Sequence, residues 1–113
     1  MSTYVYKILS PAAWAEARRA GVLAAAGVDA RDGFIHLSSA GQVVGTLALH
    51  FADADALALV AFETAALGDG LRWEASRDGA LFPHFYGALA ATAAQEWRLT
   101  RGADGAFVVP ALT

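Results

Sequence analysis

The segment Leu57-Ala-Leu-Val-Ala-Phe-Glu-Thr64 sets the tightest limit on the fold, because it is apolar at both alternating sets of positions as far as Phe62. A strand with one wet face alternates apolar and polar residues; a strand without that alternation needs cover on both sides. A chain holding such a strand must flank it with neighbours and lay further elements over each face. With 113 residues the chain makes one domain, residues 1–113, and 57% hydrophobic content is ample for a core, although 28 of those residues are alanine. That composition excludes intrinsic disorder.

Around this strand the pattern predicts several short elements. Thr3 to Leu9 is rich in β-formers. Ser10-Pro11 supplies a helix cap and a first-turn proline for a helix over Ala12 to Arg19, stopped near Gly21 and anchored by Trp14. Val28 to Gly33 reads as a polar turn, and Phe34 to Leu37 as a short strand. Ser39 and Gln42 match a capping box ahead of an apolar helix carrying Val43, Leu47 and Phe51 on one stripe. Further strands are expected at Leu71 to Ala75, Ala80 to Gly87 and Gln95 to Thr100. Leu71, Trp73 and Ala75 form the apolar face of the first of these. Turns are expected at Gly68-Asp69-Gly70, Arg77-Asp78-Gly79 and Asp104-Gly105, the last letting Ala106 to Val109 pair back. Ala88 to Ala94 suits a helical turn or a loop equally. The expected class is α+β: a small curved or split, mainly antiparallel sheet with two helices from the N-terminal half.

Several functions are excluded at once. The chain has no cysteine, so thiolate metal sites, disulfide scaffolds and cysteine nucleophiles are absent. Eight Lys plus Arg and a net charge of −3 do not suit a surface that tracks duplex DNA. Gly33 to Ala52 is the longest uncharged stretch, and its His, Ser, Gln and Gly residues make it too polar to span a membrane. Met1 to Tyr4 shows neither a basic start nor a signal core, which makes a cytoplasmic location the expectation.

Three segments carry candidate chemistry. In Phe34-Ile-His-Leu-Ser-Ser39, a strand would turn Phe34, His36 and Ser38 to one face and feed a helix N-terminus, a setting that favours phosphate or ribose. The alternative is a hydrogen-bonded interior His36, with Ser38 in the turn and Ser39 only capping. In Arg72-Trp-Glu74, the two charged residues share a face. They make either a solvent-side pair or a carboxylate that steadies a sugar or a cationic centre. In Phe82-Pro-His-Phe-Tyr-Gly87, His84 and Tyr86 lie together and suit stacking on a base; the alternative is a structural corner. A metal site from His36, His50, His84 and Glu74 is not predicted: no two histidines have ligand spacing, and His50 suits a helix C-terminus. No P-loop, G-x-G-x-x-G or nucleophile elbow occurs.

Taken in order, these segments are familiar. Tyr4-Val-Tyr-Lys-Ile8, Trp14, Asp32-Gly-Phe-Ile-His-Leu-Ser-Ser39 with Gln42-Val43, Leu71-Arg-Trp-Glu74, Phe82-Pro-His-Phe-Tyr-Gly87 and Phe107-Val-Val-Pro110 resemble a small bacterial family, domain of unknown function 952. That family is grouped distantly with the ADP-ribosyltransferase fold. The resemblance implies a split sheet with a cleft for NAD or an ADP-ribose-like nucleotide. His36 followed by Ser38 looks like the element that contacts the nicotinamide-side ribose. The late tyrosine and glutamate of such enzymes do not fall in the usual order, since Glu74 precedes Tyr86 and Glu96 follows it.

Three functional expectations result. The first is a nucleotide cleft formed by His36, Ser38, Ser39, Arg72, His84 and Tyr86, with Glu74 or Glu96 as the catalytic carboxylate of a transferase or its relic, and NAD as ligand or substrate. The second is a non-catalytic module sensing a small anion or nucleotide. The third is a structural or partner-binding domain whose apolar content hides a dimer face.

Overall fold

A computed structural model of the protein describes residues 3–76 and 79–112. The doubly apolar segment is strand β4, Ala56–Glu63, the centre of a three-stranded antiparallel sheet. It lies between β1, Tyr4–Leu9, and β8, Gln95–Thr100. Both of its faces are covered, as the sequence requires. Ala58, Val60 and Phe62 pack with Trp14 and Ala17 of helix α1, Pro11–Ala20, and with Ile35 and Leu37. Leu57, Leu59 and Ala61 pack with Val43 and Leu47 of helix α3, Val43–His50, and with Leu99. Burying a Leu, Val or Phe side chain contributes about 1.5–3 kcal/mol, so this strand holds the two helices to the molecule.

The local signals are realised in detail. The Ser10 hydroxyl accepts from the Ala13 amide at 3.1 Å, Pro11 opens α1, and Gly21 ends it in the left-handed conformation at φ 81°. Ser39 and Gln42 form the expected capping box, though the first turn, Ala40–Gln42, is a 3-10 helix leading into α3. Ile35 and Leu37 are buried in the core, so Phe34, His36 and Ser38 face the other way.

A second three-stranded sheet runs in the order β3, Ile35–His36; β6, Leu81–Phe85; and β5, Leu71–Ala75, again antiparallel. It therefore unites the three segments that carry candidate chemistry. Ser38 and Tyr6 exchange backbone hydrogen bonds of 2.8 Å each, which tie this sheet to the outer edge of β1. The sheet is thus split, as expected, with its two parts held at that bridge.

Other details differ from the sequence pattern. There are four α-helices among the described residues rather than two. Val28–Asp32 is helix α2, not a polar turn, and Thr64–Leu67 is α4. Ala88 to Ala94 contains a strand, β7 at Leu89–Ala90, which pairs with β2, Val22–Leu23. Leu89 is buried in the core, and that tertiary contact outweighs the helix preference of its alanine neighbours. The expected apolar face of β5 meets the core only at Leu71, which is half-buried; Trp73 and Ala75 are exposed, because β5 is an edge strand that runs past the core. The final hairpin pairs back as expected, through a bridge between Arg101 and Phe107 and hydrogen bonds from the Gly102 amide to the Ala106 carbonyl at 2.8 Å and from the Val108 amide to the Thr100 carbonyl at 3.0 Å. Of the expected Arg77-Asp78-Gly79 turn, the first two residues lie outside the described ones, and Gly79 has φ 78°. No helix among the described residues is long and apolar enough to cross a membrane.

Candidate functional site

The register of the second sheet decides which candidates meet. His36 of β3 lies opposite His84 of β6, and His84 lies opposite Arg72 of β5. Residues two apart share a face. Phe34, His36, His84, Tyr86, Arg72 and Glu74 therefore occupy one face of one sheet.

Two histidine–carboxylate pairs dominate that face. Nδ1 of His84 lies 2.8 Å from Oε1 of Glu74, and the Tyr86 hydroxyl donates to the same oxygen at 2.8 Å. These two hydrogen bonds, the imidazole's first, hold the Glu74 carboxyl below its ordinary range. The same bond to Glu74 pushes the Tyr86 phenol up. Arg72 lies over the Tyr86 ring at 5.3 Å. Glu74 is thus held by His84 and Tyr86, with Arg72 a minor influence.

The second pair uses a carboxylate from α2. Nδ1 of His36 lies 2.6 Å from Oδ1 of Asp29, and Nε2 lies 3.0 Å from Oδ2 of Asp32. Asp29 also accepts the His36 backbone amide at 3.1 Å and the Lys7 ammonium at 2.8 Å. Lys7 donates further to the His36 carbonyl at 3.1 Å. Asp32 is held below its ordinary value chiefly by Arg31, with His36 adding to the effect. Phe34 separates the pairs: it stacks on His84 at 4.0 Å and contacts His36 at 4.6 Å. The two imidazole rings are 5.5 Å apart.

A cleft of about 580 Å³ opens beside this face, between β1, α2, β3, α3 and β6. His36, Ser38 and His84 line it together with Lys7, Asp29 and Arg31. His84 is only 5% exposed, so Glu74 and Tyr86 stand behind it and reach the cleft through its ring. Ser38 is buried, with its hydroxyl 3.1 Å from that of Thr46. Ser39 caps the following helix.

Glu96 stands apart. It accepts from the Trp14 indole at 2.6 Å and from Arg18 at 3.0 Å, in a separate depression bounded by α1 and β8. Asp29 is not marked as a site residue by the sequence pattern, because Val28 to Gly33 reads as a polar turn. One signal was present: Asp29 and Asp32 are three residues apart, hence on one side of a helical turn, just before the His36 segment. Among the described residues no three His, Asp or Glu side chains are grouped to hold a metal ion.

Fold and site together define a small α+β protein with paired histidines beside a cleft. The same fold is found in protein CC0527 of Caulobacter crescentus. Its crystal structure is 44% identical to this chain, covers 94% of both chains and superposes with a TM-score of 0.87. Its solution structure is 45% identical, covers 91% of this chain and 90% of that one, and has a TM-score of 0.80. The family model for a protein of unknown function, DUF952, matches residues 8–97. The chain belongs to that family. No curated protein matches it.

Proposed function

We propose that this protein binds a small anionic ligand of nucleotide size in the cleft around His36, with NAD and ADP-ribose-like molecules as the foremost class. The observation that carries this reading is the convergence of His36 and Ser38 from one segment and His84 from another on one cleft of about 580 Å³. Small-molecule sites measure roughly 300–1,000 Å³. Imidazole, hydroxyl and ammonium groups offer donors to phosphate and ribose oxygens. Leu9, Val28 and Phe51 line other parts of the cleft and suit an apolar ring. The nucleotide identity rests on the resemblance of the sequence motifs, which implies a distant likeness to ADP-ribosyltransferases.

A binding module fits this geometry better than a transferase. The transferase reading needs a carboxylate at the cationic sugar centre, whereas Glu74 is engaged by His84 and Tyr86, and Glu96 by Trp14 and Arg18. The contact of Glu74 with a cleft residue keeps the transferase as the second reading. An amide-shift NMR titration with NAD and then ADP-ribose tests both. Saturable shifts around His36 and His84 that vanish in His36→Ala support binding, and flat spectra at millimolar ligand overturn it. Nicotinamide release that depends on Glu74 would establish the transferase.

A further inference from the structure

We propose that His84, oriented by Glu74, is a general base that hydrolyses a phosphodiester held in the His36 cleft; this deepens the anion-cleft reading and rests on it. His84 uses Nδ1 toward Glu74 at 2.8 Å, which leaves Nε2 as the ring nitrogen for the cleft that the residue lines. A carboxylate on one imidazole nitrogen fixes ring and tautomer so that the other accepts a proton, the logic of oriented histidine bases. The ring is also clamped from its flat side by Phe34, at 4.0 Å and an interplanar angle of 24°. Tyr86 donates to the same Glu74 oxygen and so holds the carboxylate in place.

The charges select the substrate class. Both cations of the cleft wall already have carboxylate partners, Lys7 with Asp29 at 2.8 Å and Arg31 with Asp32 at 3.0 Å. The four formal charges cancel, and a cleft of no net formal charge suits a diester, with one negative charge per phosphorus, better than a doubly charged monoester. The other charged or titratable groups around His84 are Glu74 and Arg72 on β5, Tyr86 beyond β6 and His36 on β3.

In the proposed step a water oxygen forms a bond to phosphorus while its proton passes to Nε2 of His84. The bond from phosphorus to the leaving alcohol oxygen breaks, and that oxygen takes a proton from solvent. His84 then returns its proton to solvent. The sum is diester plus water giving monoester plus alcohol, with no change of oxidation state. Glu74 is a positioning residue in this step.

The test uses the full chain with bis(p-nitrophenyl) phosphate and a nucleoside cyclic phosphate as probes. Turnover that falls roughly 100-fold or more in His84→Gln supports the proposal. Glu74→Gln leaves the imidazole present, so it covers the case where His84→Gln does not fold. A loss of at least about tenfold with an altered pH profile is expected there. Wild-type protein that binds ADP-ribose but hydrolyses neither probe overturns this inference and leaves the binding reading standing. Protein that neither binds nor hydrolyses overturns both. Hydrolysis undiminished in folded His84→Gln also overturns the proposal.

Discussion

Oδ1 of Asp29 lies 2.6 Å from Nδ1 of His36 and 3.1 Å from the amide of the same residue, so one carboxylate oxygen holds both the ring and the backbone of His36. Its second oxygen takes the Lys7 ammonium at 2.8 Å. The Lys7 and Asp29 side chains are only 13% and 12% exposed. Removing one partner of a buried ion pair leaves the other charge uncompensated.

Asp29→Ala is therefore expected to cost about 3 kcal/mol, by the general penalty for breaking a buried pair. Urea denaturation measures it. The double variant Lys7→Met with Asp29→Ala should recover part of the loss, since no unpaired charge remains. Additive losses in the double variant would show that the two side chains are not coupled.

The Glu74 carboxyl gives the acid limb of the stability profile a definite sign. Hydrogen bonds from His84 and Tyr86 lower its folded pKa, so the folded state binds fewer protons than the unfolded one. The stability it adds is present above the unfolded pKa of about 4.3 and is lost as pH falls through the folded value. Tyr86 has the opposite sign. Its raised phenol pKa adds stability below the unfolded value of about 10, and that stability is lost as pH rises through the folded value. Urea midpoints of wild type and Glu74→Gln should differ at neutral pH and converge in acid. In a near-ultraviolet titration, Tyr86→Phe should remove a phenol that ionises above its ordinary range. A midpoint gap independent of pH would break the link to Glu74.

Glu96 offers a clean contrast between a structural and a catalytic carboxylate. It accepts a hydrogen bond from the buried Trp14 indole at 2.6 Å, in a depression separate from the cleft. Glu96→Ala is expected to cost about 1.5–3 kcal/mol, the range for a lost hydrogen bond to a charged group, while ADP-ribose titrations remain unchanged. Thermal denaturation and the NMR titration read the two effects separately. Lost ligand shifts in a folded variant would return Glu96 to the site.

What the sequence revealed, and what it hid, follows from the range of each interaction. The cover on both faces of β4, the caps of α1 and α3, and the shared face of Phe34, His36 and Ser38 follow from local periodicity. The Arg72–Glu74 and Phe82–Gly87 segments could be placed on strands, but their order beside β3 is a matter of long-range pairing that no short window contains. Helix α2 spans five residues and follows Gly27 without a side-chain cap, so it lacks the N-terminal signals that marked α1 and α3. Asp29 was hidden with it. The two-residue strands β2 and β7 are too short for any period to register, and their existence depends on Leu89 being buried.

Gly70 shows how a turn residue can matter for close packing rather than for backbone freedom. It lies outside the set of glycines with positive φ. A Cβ added there would meet Cε1 of Phe85 at 2.7 Å and the Tyr86 carbonyl at 3.0 Å. The Gly70 carbonyl also accepts the Tyr86 amide at 2.9 Å, which fixes the chain just after β6 against the start of β5. Gly70→Ala must push the Phe85 ring into the core or open this contact, a cost of about 1–3 kcal/mol for overpacking. Tyr86 carries the strain onward, because its hydroxyl holds Glu74. Amide shifts should therefore change at Glu74, His84 and Tyr86, while the Asp29–His36 pair on the far strand keeps its spectrum. Urea denaturation and an amide map of Gly70→Ala read both parts. Unchanged stability would mean that Phe85 yields freely, and the close fit at Gly70 would then have no role in holding the Glu74 side of the site.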